Sequence, residues 1–428
     1  MSASSRQPVP PAVVEAEAWE LARDLLVAPP EGEPRAGLPL ERVSGDLIQL
    51  QRQSAQDLHA PLPQPDLLEL GLQLMQRPWA GQEREALRSA ADRWRQELVG
   101  DLVTYVVNRN LNASNHCVLR CGFCAFRRSP GESGAFRLSP SELRDRAAEA
   151  QALGATEVCL QAGLDPEARS DGRHLDHATA LLSDIKAAAP RLHLHGYSPQ
   201  ELLFIAEQDQ IPLRQVLDSL QQAGLGSVPG TAAEVLSPRV RQVICPEKLS
   251  AQAWVAVISQ VHQAGLPTTS TLMAGHVETS GEQLAHLCTL AALQRQAWLG
   301  GHRGFTEFIL LPFVGASAPA PLRARVGRDQ PDPQAMLLLT AQARLVLGPW
   351  IANHQASWVK LTLPIAAEAL EWGCNDLGGT LMEEHISTMA GAAGGTQQSA
   401  AALQAAARSK LRPVRQRTTL DGAPAADT

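Results

Sequence analysis

NHCVLRCGFCAF, residues 115–126, places Cys117, Cys121 and Cys124 on one short segment with the spacing C-x3-C-x2-C. The segment follows a β-branched run at 103–107 that has the composition of a strand. Three thiolates on one short loop can hold three irons of a four-iron, four-sulfur cluster and leave the fourth iron without a protein ligand. We therefore predict that these three cysteines ligate one 4Fe-4S cluster at the end of a first strand.

The open iron of such a cluster has a specific use in chemistry. It can chelate the amino and carboxylate groups of S-adenosylmethionine (SAM), so that an electron from the cluster enters the carbon-sulfur bond and releases a 5′-deoxyadenosyl radical. A structural zinc site is the alternative, but zinc takes four ligands and usually binds pairs of C-x2-C. His116 could be the fourth ligand, yet side chains of adjacent residues seldom converge on one small ion. Unrelated buried thiols are a further alternative.

Beyond this loop, short β-branched runs alternate with amphipathic stretches, which is typical of repeated β-α units and a parallel sheet. One intervening helix should begin with a capping box formed by Ser139 and Glu142, with Pro140 at its first position. The α/β pattern predicts a complete (β/α)8 barrel of the TIM type, whose active site lies at the C-terminal ends of the strands. The eight predicted strands are VTYVV (103–107), TEVCLQ (156–161), RLHLHG (191–196), GLGSVPG (224–230), RQVIC (241–245), TTSTLM (268–273), TEFILLP (306–312) and SWVKLTL (357–363).

The chain divides into three predicted regions. An N-terminal helical region covers 1–100, where helical periodicity is interrupted by Pro-rich breaks at 29–34 and 61–65. The barrel covers 101–395. A C-terminal helix and a basic tail cover 396–428, and we interpret the tail as solvated.

Composition excludes several classes of function. The chain has 428 residues with 37 basic and 44 acidic side chains, and its net charge of −7 argues against a nucleic-acid-binding protein. The most apolar stretch, 305–322, is interrupted by Glu307 and several prolines, so we predict no membrane span. The chain does not begin with a basic segment followed by an apolar one, and its seven cysteines are an odd number. These features predict a cytoplasmic protein without a disulfide framework.

The cysteine loop and several other segments resemble the radical SAM superfamily and, within it, the family of the tyrosine-using subunit of FO synthase, called CofH. The resemblance covers roughly residues 100–420. The sequence departs from the pattern of this family at two places. Gln161-Ala162-Gly163 stands where the family usually has two consecutive glycines, and Ala274 stands where it commonly has a larger residue. The segments that carry the resemblance are NASNHC (112–117), CAF (124–126), SPQE (198–201), GSVPGTAAEVL (226–236), STLMAGHVET (270–279), GFTEFILLPFV (304–314), QASWVKL (355–361) and NDLGGTLMEEHI (375–386).

The resemblance implies a reaction. A radical derived from SAM takes hydrogen from L-tyrosine, the Cα-Cβ bond breaks, and the 4-hydroxybenzyl unit joins 5-amino-6-(D-ribitylamino)uracil while 2-iminoacetate leaves. An external donor supplies the electron, and a second radical SAM subunit cyclises the adduct to the deazaflavin FO. The alternative within the class is a menaquinone-pathway radical SAM enzyme of the aminofutalosine or dehypoxanthine futalosine type. The alternative outside it is a noncatalytic iron-sulfur or zinc protein.

The resemblance also implies contacts with SAM at the ends of two strands. Gln161, Ala162 and Gly163 end the second strand, where backbone groups can approach the SAM amino group closely. Glu234 follows the fourth strand and can accept hydrogen bonds from the ribose or the methionyl amine. A plain turn and a surface glutamate are the respective alternatives.

Polar residues on the same rim are expected to hold the substrates, because a radical must be kept from water and close to one particular hydrogen. His195 lies near the end of the third strand, where a structural histidine is the alternative. Glu307 lies among apolar neighbours and would need a polar partner inside the barrel. The predicted substrate residues are His195, His276, Glu278, Glu307 and Asn375.

Overall fold

The computed structural model describes residues 13–30, 39–59 and 65–420. Both ends of the chain and most of the Pro-rich breaks predicted at 29–34 and 61–65 lie outside these residues. The strands are β1 (Val103–Val106), β2 (Asn108–Leu111), β3 (Glu157–Leu160), β4 (His193–Gly196), β5 (Leu225–Ser227), β6 (Thr268–Ala274), β7 (Phe305–Pro312), β8 (His354–Ala356), β9 (Asp376–Gly379) and β10 (Val414–Gln416). The helices are α1 (Ala16–Leu25), α2 (Leu40–Gln56), α3 (Pro65–Gln76), α4 (Gly81–Val99), α5 (Pro140–Ala152), α6 (His174–Ala188), α7 (Pro199–Asp209), α8 (Leu213–Gln222), α9 (Pro238–Ile244), α10 (Ala251–Gln263), α11 (Ser280–Leu299), α12 (Ala320–Val326), α13 (Pro333–Leu347), α14 (Trp358–Leu361), α15 (Leu363–Ala369), α16 (Ile386–Met389) and α17 (Ala400–Ser409).

The strands close into a parallel ring. β2, β3, β4 and β5 pair in that order, and β6, β7, β8, β9 and β1 pair in that order. A bridge between Val228 and Thr268 joins the two sets, and β1 continues into β2 past Val107. Counting β1 and β2 as one, the described residues form a ring of eight strands, which confirms the predicted (β/α)8 barrel.

The segment at 241–245, predicted as the fifth strand, belongs to helix α9 and the residue after it. Ser237 caps this helix by accepting a hydrogen bond from the Val240 amide, and Pro238 occupies its first turn. Val240 and Ile244 lie one helical turn apart, and both are fully buried. The strand prediction was wrong because a short apolar run does not by itself distinguish a strand from a buried helix.

The eighth predicted strand, at 357–363, was also wrong. It contains α14 and the start of α15, and β8 ends just before it. The strand that completes the ring is β9, where no strand was predicted. Its two glycines conceal it, because glycine has low strand propensity. A Cβ atom at Gly379 would lie 2.1 Å from Oδ1 of Asn108, so only glycine fits there.

The basic tail forms part of the barrel. β10 runs parallel to β1, with Val414 opposite Val103. β1 and β2 are the two halves of one barrel strand; on the same side of that strand, β10 pairs with the first half and β3 pairs with the second. The side chains that follow it point inward, since Arg417 is 4% exposed and Thr419 is 7% exposed. Our interpretation of a solvated tail was therefore wrong for residues 414–419.

The N-terminal helices pack on the outer helices of the barrel. α1 contacts α10, α3 contacts α11 and α4 contacts α13. The capping box predicted for α5 is confirmed, because the Ser139 side chain accepts from the Glu142 amide and the Glu142 side chain accepts from the Ser139 amide. None of the helices in the described ranges is long and apolar enough to cross a bilayer. The region boundaries at 100 and 395 stay predictions.

Candidate active site

A cavity of about 390 Å³ occupies the inside of the barrel. The three cysteines line it at the C-terminal ends of the strands, as expected for a (β/α)8 barrel. Its lining brings together nine of the residues predicted from sequence: Cys117, Cys121, Cys124, Gln161, Ala162, Gly163, Glu234, His195 and Glu307.

Backbone hydrogen bonds hold the cysteine loop in place. The Cys117 amide donates to the carbonyl of Arg128 at 3.2 Å, and the Cys124 amide donates to the carbonyl of Cys121 at 3.1 Å. Gly122 donates at 2.8 Å to the carbonyl of Ile244, the last residue of α9. The helix that replaces the predicted fifth strand therefore supports the middle of the loop.

The turn after β3 packs directly on the cysteine loop. A Cβ atom at Gly163 would lie 2.1 Å from the carbonyl oxygen of His116 and 3.0 Å from Cβ of Cys117. The Gly163 amide donates to Ser114 at 2.8 Å, and the Ala162 amide donates to Glu201 at 3.0 Å. Because both amides already donate within the chain, Ala162 and Gly163 can offer a ligand only their carbonyl oxygens, which suits an amine.

Glu234 forms a buried ion pair with Lys248. Nζ of Lys248 donates to Oε1 of Glu234 at 2.5 Å, and the ammonium lies 5.3 Å from the ring centre of Phe123 in the cysteine loop. Burial alone would raise the pKa of Glu234, but the Lys248 charge more than offsets this effect and the pKa is lowered. Glu234 is therefore an ionised acceptor beside the cysteines and not a surface residue.

His195 and Glu157 lie deeper in the barrel and interact electrostatically. Nδ1 of His195 lies 2.7 Å from Oγ of Ser227. Burial lowers the pKa of His195, and the nearby carboxylate of Glu157 opposes this shift. Glu157 itself accepts from Nδ2 of Asn108 at 2.8 Å and from Oγ1 of Thr419 at 2.6 Å.

The tail closes the N-terminal end of the cavity with a charge cluster. Nε of Arg417 donates to Oδ2 of Asp376 at 2.6 Å, and Nη2 donates to Oε2 of Glu307 at 2.8 Å. Burial alone would lower the pKa of Arg417, but Asp376 and Glu307 raise it, so its charge is retained. We name Arg417, Thr419, Glu157, Glu307 and Asp376 the cavity floor.

Three predicted substrate residues lie outside the cavity lining. His276 and Glu278 follow β6 as expected, but their side chains pair with each other at 3.1 Å and are almost fully buried within their own loop. Asn375 precedes β9, so it lies at the opposite end of the barrel from the cysteines. Its Oδ1 accepts from Arg344 and from the His354 amide, both at 2.9 Å. The misplaced eighth strand explains why the sequence put Asn375 on the catalytic rim.

Several polar residues of the cavity were missed. Strand alternation could have revealed Glu157, because it shares a face of β3 with Cys159 and Gln161 and all three line the cavity. Lys248 lies in a loop after α9 and Arg417 in the tail, so no periodic pattern marks either one. The other missed polar residues of the lining include Ser198, Gln200, Glu201, Gln355, Lys360, Glu384 and Thr419.

The donor set fits an iron-sulfur cluster better than a single ion. In the described residues, no three His, Cys, Asp or Glu side chains converge closely enough to hold one metal ion, as zinc requires. A cluster takes one thiolate per iron and therefore needs sulfurs that are further apart. Burial raises the pKa of Cys121 to about 12 and also raises the pKa of Cys117. Cluster binding must therefore release thiol protons.

Comparison with known proteins gives a consistent result. The radical SAM superfamily matches residues 111–289, and the CofH/MqnC C-terminal region matches residues 302–419. The 5-amino-6-(D-ribitylamino)uracil--L-tyrosine 4-hydroxyphenyl transferase of Synechocystis is 57% identical over 337 residues, covering 78% of this chain and 86% of that protein. The transferase of the same name from Cyanothece is 53% identical over 367 residues, covering 85% and 96%.

Two solved structures share the fold. Methylornithine synthase (PylB) superposes with a TM-score of 0.62 at 15% identity, covering 87% of this chain and 97% of that one. The FeFe-hydrogenase maturase HydG from Carboxydothermus hydrogenoformans also gives 0.62 at 15% identity, covering 94% and 84%. At this identity the likeness concerns the fold alone.

The superfamily assigns the chain its cofactors, which are a 4Fe-4S cluster and SAM. Both family models and the identity to full-length relatives agree with the cysteine loop and with the barrel. The chain belongs to the radical SAM superfamily and, within it, to the family of 5-amino-6-(D-ribitylamino)uracil--L-tyrosine 4-hydroxyphenyl transferases.

Proposed function

We propose that this chain transfers the 4-hydroxybenzyl group of L-tyrosine to 5-amino-6-(D-ribitylamino)uracil and releases 2-iminoacetate, 5′-deoxyadenosine and methionine. The observation that carries the proposal is the single cavity that joins the cysteine loop to the buried charges of the floor. Relatives that bear the name of this transferase are 51–57% identical to the chain, which supports the same assignment.

At one end of the cavity, the chain binds its cofactors. Cys117, Cys121 and Cys124 hold the cluster, which together with SAM supplies hydrogen abstraction by a carbon radical. The turn at 161–163 offers acceptors to the SAM amine. Glu234, kept ionised by Lys248, accepts from the ribose or from the amine.

At the other end, the chain binds and orients the substrates. His195 and Glu307 line the cavity and present polar groups among apolar walls. The volume of about 390 Å³ falls within the range of small-molecule pockets. The tail closes the floor, so water is kept away from the reacting carbon.

The product would be an intermediate in formation of the deazaflavin FO. We propose that a second radical SAM subunit cyclises the adduct and that an external donor supplies electrons to the cluster. The protein would work in the cytoplasm.

The test is anaerobic reconstitution with iron and sulfide, followed by mass spectrometry of products from tyrosine and the uracil. The expected product is the 4-hydroxybenzyl-uracil adduct, formed together with 2-iminoacetate or its hydrolysis product. Omission of SAM and the variant Cys121→Ala are controls that should give no adduct. Parallel reactions with aminofutalosine-type substrates test the menaquinone-pathway alternative. Turnover of those substrates without turnover of tyrosine would overturn the proposal.

A further inference from the structure

Lys360 differs from the other lysines of the chain. The sequence has four, and all four lie in the described part. Lys186 donates to the carbonyl of Leu192 at 2.7 Å, Lys248 pairs with Glu234, and Lys410 pairs with Glu371 at 2.6 Å. Lys360 lies on α14 and lines the cavity, and within the described residues its ammonium forms no hydrogen bond or ion pair.

The two carboxylates that act electrostatically on Lys360 form hydrogen bonds with other groups. Glu384 and Glu234 both act on Lys360 through space. Glu384 accepts from the amides of Ser387 and Thr388 at the start of α16, and Glu234 accepts from Lys248. Lys360 therefore faces the cavity as a cation without a direct counter-ion.

Such an arrangement is costly unless a ligand completes it. A buried charge is normally paired, because desolvation disfavours the charged form. Burial indeed lowers the pKa of Lys360, and the two glutamates only partly oppose this effect. An anionic group of a ligand in the cavity would supply the missing partner and oppose this shift.

The proposed reaction offers one suitable anion. The aminouracil and its ribityl chain are neutral, whereas tyrosine carries an α-carboxylate. The carboxylate of SAM has another partner in the open iron of the cluster. We propose that Lys360 binds the α-carboxylate of the amino-acid substrate and thereby fixes its position in the cavity. This inference rests on the proposed function.

The test removes the two partners separately. Binding of L-tyrosine and of tyramine, which lacks the carboxylate, is measured by calorimetry on the reconstituted protein with SAM, for wild type and for Lys360→Met. In wild type we expect tyrosine to bind at least about 30-fold more tightly than tyramine, the scale of one buried charge pair. In Lys360→Met the two affinities should agree within about threefold, with the affinity for tyramine unchanged. Lys360→Arg should retain part of the preference for tyrosine, because it keeps the charge.

Controls separate this role from other roles of Lys360. The matched variant Lys410→Met, which removes a lysine outside the cavity, should keep the wild-type preference. Lys360→Met should leave iron content and SAM affinity unchanged, and its Tm should be equal to or above that of wild type, because it removes an unpaired, half-buried charge. A weakened affinity for SAM, or a large fall in Tm, would overturn the proposal.

The two proposals fail in different ways. An undiminished preference for tyrosine in Lys360→Met, in a protein that still forms the adduct, contradicts the role of Lys360 alone. Failure of the wild-type protein to bind tyrosine contradicts the proposed function and the role of Lys360 with it.

Discussion

Gly163 shows how closely the cofactor end of the cavity is fitted. Its missing side chain leaves just enough room for the carbonyl of His116, one residue before the first cysteine. A methyl group at this position would push the cysteine loop away from the turn after β3.

The first prediction concerns the three cysteines. Changing Cys117, Cys121 or Cys124 to Ala should abolish cluster binding and SAM cleavage, because each thiolate holds a different iron. Iron content and formation of 5′-deoxyadenosine are the measurements. Cys288→Ala is the control, since Cys288 is buried in α11 away from the cavity. Normal turnover in any one of the three variants would disprove the cluster assignment.

The second prediction concerns Glu234. Glu234→Gln keeps the shape of the side chain and removes its charge, so SAM affinity should fall roughly tenfold, the effect of a hydrogen bond to a charged group. Iron content should stay at the wild-type level. Equilibrium dialysis with labelled SAM measures the affinity. An unaltered affinity would mean that Glu234 serves only to neutralise Lys248.

Single functional residues could be predicted from the sequence where their function requires a fixed spacing along the chain. The cysteines are separated by three and two residues, so the loop could be recognised without knowledge of the fold. His195 was found because its position near a strand end put it on the rim. Glu307 was found because a carboxylate among apolar neighbours needs a polar partner inside the barrel, but the structure places it on the cavity floor and not on the rim. Arg417 could not be found this way, because its partners Asp376 and Glu307 are distant in sequence and nothing near it suggests burial.

Among the elements, β10 brings the residues that follow it into the floor of the cavity. It adds a strand beside β1 and carries Arg417 into the floor. Without Arg417, Asp376 and Glu307 would lose their shared counter-charge. The family model extends to residue 419, which includes this strand.

The third prediction tests this strand. Arg417→Met should lower the free energy of unfolding by about 3 to 5 kcal/mol, the cost of leaving buried charges without their partner. Urea denaturation followed by circular dichroism measures the effect. Arg415→Met is the matched control, because Arg415 lies on the same strand and is exposed. A loss no larger than that of the control would show that the charges of the floor do not depend on Arg417.

The fourth prediction concerns the start of α11, where Glu282 joins this helix to α9. Burial would raise the pKa of Glu282, but hydrogen bonds from Arg239 and Ser237 lower it to about 2. Because the folded pKa lies below the ordinary value of 4.5, the ionised group stabilises the fold above about pH 4.5 and this contribution disappears as the pH falls toward 2. The difference in Tm between wild type and Glu282→Gln should therefore shrink between pH 6 and pH 3. A constant difference would contradict this assignment.

Element prediction succeeded where periodicity and capping agreed. Ser139 and Glu142 were enough to place the start of α5. It failed at 241–245 and 357–363, where short β-branched runs lie in helices whose burial is decided by tertiary packing. It also failed at β9, which contains two glycines. At Gly379 the side chain of Asn108 leaves no room for a Cβ atom, and this contact cannot be seen in the sequence.

At the scale of the whole molecule, the two ends of the cavity have different proposed functions, which are cofactor binding and substrate binding. The cysteine loop and the Glu234-Lys248 pair lie at one end, and His195 and the floor lie deeper. Changes at the cofactor end should therefore stop all chemistry. Changes at the substrate end should separate SAM cleavage from formation of product.

The fifth prediction uses two histidines that contact the same hydroxyl. His193 and His195 both lie 2.7 Å from Oγ of Ser227, but only His195 is among the residues that line the cavity. In His195→Ala the cluster should remain intact and 5′-deoxyadenosine should still form slowly. The yield of the adduct should fall about a hundredfold, the scale of a misplaced reacting group. His193→Ala should have a much smaller effect on the adduct. Equal losses in both variants would show that the histidines act only on the structure of β4.

The cavity floor also bears on how the chain folds. Thr419 and Glu157, which meet there, are 262 residues apart in sequence, and Arg417 and Glu307 are 110 residues apart. Contacts between such distant residues form slowly, because the entropy of loop closure is lost before the contact contributes any stability. The cysteines, by contrast, are neighbours along the chain from the start. The three thiols can therefore come close together early in folding, before the distant contacts that close the substrate site have formed.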